Sequence, residues 1–190
     1  MRYADVHKMN ISDGPGIGVS VYVQGCQKAV DGNPCKGCFN PETWSFDGGK
    51  KWTDDIRESV IGLLRPDYMS RLSILGGEPL CPCNYMTLLT LVHTARCELV
   101  GKKKFSVWLW TGRMFEDVVS EAKMDTTLYC LLHEIDYIVD GPFMESKKDL
   151  TLKWRGSSNQ RIIDVKKTLD TIDLETYNGK CKVIEIKESE

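Results

Sequence analysis

Apolar and polar positions along the chain fall into short strands and longer helices that take turns. Residues 19–24 (VSVYVQ) form a β-branched and aromatic run closed by Gly25, which predicts a strand. Thr53 is placed to cap a helix, with Asp54 and Asp55 in its first turn and Ile56, Val60, Leu63 and Leu64 at helical spacing. Arg65 before Pro66 predicts its end. Residues 72–75 predict a buried strand closed by Gly76-Gly77. Residues 84–99 then predict a helix with Leu88, Leu91, Val92, Ala95 and Leu99 on one face. Residues 105–110 (FSVWLW) predict a third strand, ended by Thr111-Gly112. A helical pattern follows through Phe115, Val118, Val119 and Ala122. Residues 135–139 predict a fourth strand, ended by Asp140-Gly141-Pro142.

Strands alternating with helices predict an α/β fold with a mainly parallel sheet. Four such units fall short of a full eight-fold barrel, which takes about 250 residues. A partial, open TIM-like βα barrel, or an open sheet, fits the length. Residues 147–166 are polar around WRGSSNQR and predict an ordered loop, then a strand at 162–165. The main domain is expected over 1–165. Residues 166–190 form a C-terminal extension of unknown role, patterned for a short helix and an edge strand. Each of the four strands before residue 140 ends in a glycine-containing turn, at Gly25, Gly76-Gly77, Gly112 and Gly141. Ligands of parallel α/β folds gather at the carboxyl ends of the strands, so these turns are expected on one face.

Composition narrows the function classes. The chain has 190 residues, 42% of them apolar, which fits a folded globular domain. Its net charge is −2, with acidic and basic residues interspersed, and no basic field marks a nucleic-acid partner. The N-terminal MRYADVHKMNISDGPG lacks the apolar segment of a secretory signal, and no apolar run is long enough to span a bilayer. A cytoplasmic location without membrane attachment is expected. Thiols stay reduced there, so the eight cysteines point to metal binding or catalysis before disulfides.

Three cysteines lie in GCQKAVDGNPCKGCFN: Cys26, then Cys35 and Cys38 as a C-x-x-C, with eight residues between the first two. Two metal readings stand side by side. Zinc would need a fourth ligand, for which Cys81 or Cys83 is available, giving a closed structural or interaction module. A [4Fe–4S] cluster normally takes four thiolates, and three would leave one iron open to a small chelating ligand. A zinc deaminase is excluded, because the upstream His7 is followed by Lys8 and Met9 rather than the required x-Glu.

Several motifs taken together carry a resemblance. They are strand–GC…CxxCFN, LGGEPL at 75–80, VWLWTG at 107–112, DGPF at 140–143, WRGSSNQR at 154–161 and DGPG at 13–16. The chain resembles the anaerobic ribonucleoside-triphosphate reductase activating proteins, a branch of the radical SAM glycyl-radical activases, over roughly residues 3–165. The resemblance implies that Cys26, Cys35 and Cys38 hold a [4Fe–4S] cluster whose open iron chelates the amino and carboxylate groups of S-adenosylmethionine. It implies that Gly37, Cys38 and Phe39 line the adenine, that Gly76 and Gly77 bring backbone close to the methionine amino group, and that Glu78 adds a charge partner for it. The implied reaction is reductive cleavage of S-adenosylmethionine and hydrogen abstraction from a glycine of the anaerobic ribonucleotide reductase large subunit. A flavodoxin- or ferredoxin-type protein would donate the electron. A related reading is an activase of another glycyl-radical enzyme, of the formate-lyase type. Two positions depart from the family's pattern. The first cysteine spacing is eight residues instead of three, and Gly18 stands where an arginine usually follows the glycine-proline-glycine turn.

Other residues have plainer expectations. Cys97 and Cys130 are expected as small core residues, and His93 and His133 as surface or core residues of helices. Lys102-Lys103-Lys104 is expected as a solvated turn. Thr111-Gly112 is a plausible cofactor neighbour, Trp108 and Trp110 one face of a strand, and Trp154 and Arg155 a plug or a docking surface. Cys81 and Cys83 are expected on the ligand face, as loop thiols or as a redox pair.

Overall fold

The computed structural model describes residues 1–99, 101, 103–173 and 176–186. Its elements run β1 (Arg2–Asn10), β2 (Ile17–Val23), α1 (Gln27–Val30), β3 (Lys50–Lys51), α2 (Asp54–Leu64), β4 (Met69–Gly76), α3 (Tyr85–Leu99), β5 (Ser106–Trp110), α4 (Phe115–Ala122), α5 (Thr126–Glu134), β6 (Tyr137–Asp140), β7 (Arg161–Asp164) and α6 (Val165–Leu169). Lys102, and residues 174–175 and 187–190 of the extension, lie outside the described residues.

Seven strands form one open sheet in the order β3-β1-β2-β4-β5-β6-β7. The α/β expectation holds, and β2, β4, β5 and β6 run parallel. The sheet as a whole is mixed, because β1, β3 and β7 pair antiparallel at its sides. Strand β1 was not predicted. Its sequence, RYADVHKMN, is polar, and only Tyr3 in it is buried. It forms because a short turn returns it onto β2.

Side chains alternate across the sheet with period two. Val19, Val21, Val23, Leu72, Ile74, Val107, Leu109 and Ile138 join α2–α5 in the main core. The opposite face carries Ser20, Arg71, Ser73, Trp108, Val139 and Ile162. Helix α2 begins as expected, with the Thr53 hydroxyl accepting from the Ile56 N–H at 3.4 Å. Cys97 and Cys130 are exposed, contrary to expectation, because the buried faces of α3 and α5 are already filled by Leu91, Ala95, Leu128 and Leu131. His93 lies at the surface, bonded to Glu134 at 2.8 Å and Cys97 at 3.5 Å. Lys103 is not simply solvated: its ammonium caps the carbonyls of Leu64, Pro66 and Met69. Beyond α6 the chain returns along β7, with the Asp164 N–H donating to Ile184 and the Ile186 N–H to Ile162. This return covers the β7 edge that would otherwise be open to another strand.

A buried arginine organises the second face. Arg71, fully buried on β4, donates to the carbonyls of Pro15 at 2.8 Å, Gly16 at 3.0 Å and Asn10 at 2.9 Å, and to the Ser73 hydroxyl at 2.7 Å. It thereby ties down the DGPG turn. A side chain at Gly18 would meet Arg71, its Cβ falling 2.9 Å from Nε. The Arg71 side chain runs through the space that Gly18 leaves empty.

A second tie joins the strand ends. Beyond β4, the Gly77 N–H donates to Val23 at 2.9 Å and the Glu78 N–H to Gly25 at 2.7 Å. This approach needs glycine: Gly76 has φ +111° and a Cβ there would sit 2.6 Å from the Val23 carbonyl, while one on Gly77 would run into the Gly25 carbonyl. The Glu78 side chain turns inward. One carboxylate oxygen accepts from the Leu80 N–H at 2.9 Å and the Thr111 hydroxyl at 2.7 Å; the other accepts from the Gly112 N–H at 2.9 Å. Glu78 therefore clasps the ends of β2, β4 and β5 together. Burial pushes its carboxyl above the ordinary value, against the opposing pull of those hydrogen bonds and of Arg113.

Replacing Arg71 by alanine is expected to destabilise the fold by about 3 kcal/mol, since three carbonyls and the buried Ser73 hydroxyl lose their donor and the space of a buried side chain is emptied. Gly18→Ala should also destabilise, because its Cβ would meet both the Arg71 side chain and the Arg71 carbonyl. Anaerobic denaturant titration checks both, and a loss below about 0.5 kcal/mol for Arg71→Ala contradicts the role. Glu78→Gln should cost about 1–3 kcal/mol, because an amide nitrogen would face a donor in place of an acceptor. Equal midpoints for Glu78→Gln and the parent protein would count against the clasp.

Candidate functional site

The carboxyl ends of the four parallel strands open into one cavity of about 840 Å³. That lies within the range of small-molecule and cofactor sites. Cys26, Gly76-Gly77-Glu78, Thr111-Gly112 and Gly141, one turn from each strand, contribute to its wall. The expected gathering of the glycine turns on one face is therefore observed. The sheet face opposite the helices forms the floor, through Tyr22, Leu75 and Trp110. Tyr22 donates to Asp13 at 3.0 Å, which links the floor to the DGPG turn.

All three loop cysteines, Cys26, Cys35 and Cys38, lie on this wall. The loop is pinned at its base. The Gly25 N–H donates to Thr43 at 2.8 Å, the Cys26 N–H to Trp44 at 2.9 Å, and the buried Gln24 amide to Glu42 at 3.0 Å and Ser45 at 2.8 Å. Between Cys26 and Cys35, α1 and its closing bonds from Asp31 to Gln27 and from Asn33 to Lys28 wind up the extra length. The long spacing is absorbed by one helical turn, and Cys35 still reaches the cavity beside Cys38. Two N–H donors face the sulfurs: Trp44 Nε1 lies 3.4 Å from Cys38 Sγ and Lys28 Nζ 3.9 Å from Cys35 Sγ. Burial pushes the Cys26 thiol upward, and Glu78 and the other two cysteines add to this.

The donor set is three cysteines on one cavity wall. Iron–sulfur clusters are held by cysteine thiolates, and these three would ligate three irons of a [4Fe–4S] cluster and leave the fourth open. Cys83 lines a separate cleft beside Arg2 and Phe46, and only Cys81 of that pair borders the main cavity.

Gly37, Phe39, Gly76, Gly77 and Glu78 were singled out with the cysteines. Phe39 borders the cavity and remains 54% exposed, with Phe143 at 4.8 Å between ring centroids and Lys148 Nζ 5.4 Å from the ring centre. Gly37 packs near Phe143 and Glu145. Glu78 borders the cavity, but three donors already engage its carboxylate.

The WRGSSNQR segment forms the far wall. Gln160 accepts from the N–H groups of Gly156 at 2.9 Å and Ser157 at 3.2 Å, and donates to Gly141 at 3.1 Å; Asn159 donates to Pro142 at 2.8 Å. A Cβ on Gly156 would come within 2.6 Å of the Phe39 ring. The motif thus braces the DGPF turn and the cysteine loop across the cavity. Trp154 sits at φ +62°, and its carbonyl accepts from Trp110 Nε1 at 2.7 Å. Sequence reasoning missed Trp44 and Arg71. The signal for Arg71 was a charged residue beside the apolar run 72–75, in register with the polar Ser73.

No helix among the described residues is long and apolar enough to cross a membrane. The chain was compared with known proteins. Residues 12–163 match a family described as a 4Fe-4S single cluster domain. The anaerobic ribonucleoside-triphosphate reductase-activating protein of Vibrio cholerae is 35% identical over 164 residues, covering 85% of this chain and 97% of that protein. The protein of that name from Escherichia coli K12 is 34% identical over 162 residues, covering 84% and 96%. Its counterpart in enterobacteria phage T4 is 32% identical over 164 residues, covering 85% and 93%. No solved structure matches. A chain so matched along most of its length, with its three loop cysteines on one cavity, belongs to the family of anaerobic ribonucleoside-triphosphate reductase-activating proteins and to the 4Fe-4S single cluster domains.

Proposed function

We propose that this protein is a radical SAM activase that generates a glycyl radical on an anaerobic ribonucleoside-triphosphate reductase. The observation that carries the reading is the convergence of Cys26, Cys35 and Cys38 with the Gly76-Gly77-Glu78 strand end on one cavity. In this reading the three thiolates hold a [4Fe–4S] cluster. When bound, the cluster supplies one electron to the sulfonium of S-adenosylmethionine, whose cleavage yields methionine and a 5′-deoxyadenosyl radical that takes hydrogen from the partner's glycine.

The chain's own residues bind, orient and shield. Trp44 and Lys28 direct N–H groups at the Cys38 and Cys35 sulfurs and orient them. The glycine pair keeps the β4 end free of side chains where the methionine amino group is to lie. Glu78 acts chiefly by holding that strand end rigid, and its negative charge favours a cationic neighbour. Gly37, Cys38 and Phe39 offer the adenine a flat surface. Docking of the reductase over the mouth excludes water from the radical. We read the open sheet as a segment of a βα barrel, residues 1–165 as the catalytic unit, and residues 184–186 as an edge cover. A flavodoxin- or ferredoxin-type donor and a cytoplasmic setting belong to the same reading.

Protein reconstituted anaerobically is expected to bind about four iron and four sulfide per chain. With a strong reductant it should convert S-adenosylmethionine to methionine and 5′-deoxyadenosine. Cys26→Ala, Cys35→Ala and Cys38→Ala should each abolish both properties. A colourless protein holding stoichiometric zinc and leaving S-adenosylmethionine intact would sink the proposal. Deleting residues 29–33 restores a three-residue spacing, keeps Lys28, and should leave iron content unchanged. Loss of iron in that deletion would show that α1 is needed to place Cys35.

A further inference from the structure

The LCPCN segment after the glycine pair is not used by the chemistry above. Cys81 and Cys83 flank Pro82 at a tight turn, and Cys83 Sγ donates to Cys81 Sγ at 3.6 Å. Among the described residues these are the only two thiols in hydrogen-bond contact with each other. Their surroundings differ. Cys81 is buried and borders the main cavity, whereas Cys83 is exposed and borders the cleft on the other side. Pro82 fixes its own φ between them and limits how far the two sulfurs can drift apart. The Cys81 N–H donates to the Glu78 carbonyl at 3.2 Å, the Asn84 N–H to the Cys81 carbonyl at 2.8 Å, and the Asn84 amide to the Glu78 carbonyl at 3.2 Å. The dithiol therefore sits on the turn that supports the Glu78 clasp.

We propose that Cys81 and Cys83 are a redox-active dithiol, converted to an intramolecular disulfide by exchange with small-molecule disulfides such as oxidised glutathione. Cys83, the accessible sulfur, attacks first as its thiolate. It forms a mixed disulfide and expels one glutathione thiolate. Cys81 then attacks Cys83 Sγ, forming the internal bond and expelling the second glutathione. The two protein thiols lose two electrons and two protons, and the small disulfide gains both to become two thiols. Burial, with Cys83 beside it, pushes the Cys81 thiol up to about 11, which keeps it from reacting first, and its later attack is favoured by the 3.6 Å separation of the two sulfurs. Closing so short a loop stores strain, and strained disulfides are readily reduced, so the bond is reversible. Its formation would tighten the turn beneath Glu78 and couple the thiol balance of the surroundings to the cavity.

The test is peptide mapping of the reconstituted full-length protein, exposed anaerobically to oxidised glutathione and then alkylated. Cleavage after Arg71 and Arg96 releases residues 72–96, which contain Cys81 and Cys83 and no other cysteine. This peptide is expected to appear unalkylated and two hydrogens lighter, and to regain two alkyl groups after dithiothreitol. In Cys81→Ser the reaction should stop at a glutathionylated Cys83; in Cys83→Ser, Cys81 should stay unmodified. Full alkylation of the parent peptide, or its arrest as the mixed disulfide at Cys83, overturns the proposal. Modification of Cys81 in Cys83→Ser at the parent rate overturns the order of attack. None of these readouts needs an intact cluster or S-adenosylmethionine, so they stand apart from the activase reading.

Discussion

Three strand ends meet at Glu78, and the site depends on that meeting. Its N–H reaches the end of β2, its own chain ends β4, and its carboxylate takes Thr111 and Gly112 at the end of β5. A buried carboxylate is costly unless its lone pairs are used, and here three donors use them. The two glycines before it are what allow β4 to come so close to β2. A motif expected to serve a cofactor thus has a prior structural duty. The backbone surface that a ligand would meet is the surface that the clasp creates.

The two faces of the sheet divide the labour. One packs against helices and carries most of the apolar burial. The other is polar and aromatic: Arg71 anchors the DGPG turn on it, and Trp108, Trp110 and Trp154 cluster beside the cavity. The cavity is bounded by loops that are held by side-chain as well as backbone hydrogen bonds. Gln24 secures the base of the cysteine loop, and Gln160 and Asn159 secure the opposite wall. Such loops hold their shape without regular secondary structure, so the cysteine loop can lengthen at α1 without moving its ends.

Much of this was legible in the sequence. The four parallel strands, the cap at Thr53, the glycine turns and the three cysteines follow from local patterns, because periodicity and turn chemistry act over a few residues. What stayed hidden depends on distant partners. Strand β1 is too polar to announce itself, and it forms because β2 offers a pairing edge. Arg71 looks like an error in a buried strand until Gly18, far away in the chain, is seen to leave room for it. Cys97 and Cys130 lie in helices whose core faces were predicted correctly, yet their own exposure depends on a rotation of one position. Phe39 and Gly156 explain each other only once the loops meet across the cavity.

The central claim is that the cavity at the strand ends delivers a radical to a partner's glycine. Electron paramagnetic resonance of the anaerobic reductase, incubated with this protein, S-adenosylmethionine and a one-electron reductant, tests it most directly. The account predicts a glycyl-radical signal on the reductase that requires S-adenosylmethionine and vanishes with Cys38→Ala. A protein that carries its cluster and binds the reductase, yet leaves it free of any such signal, would contradict the account.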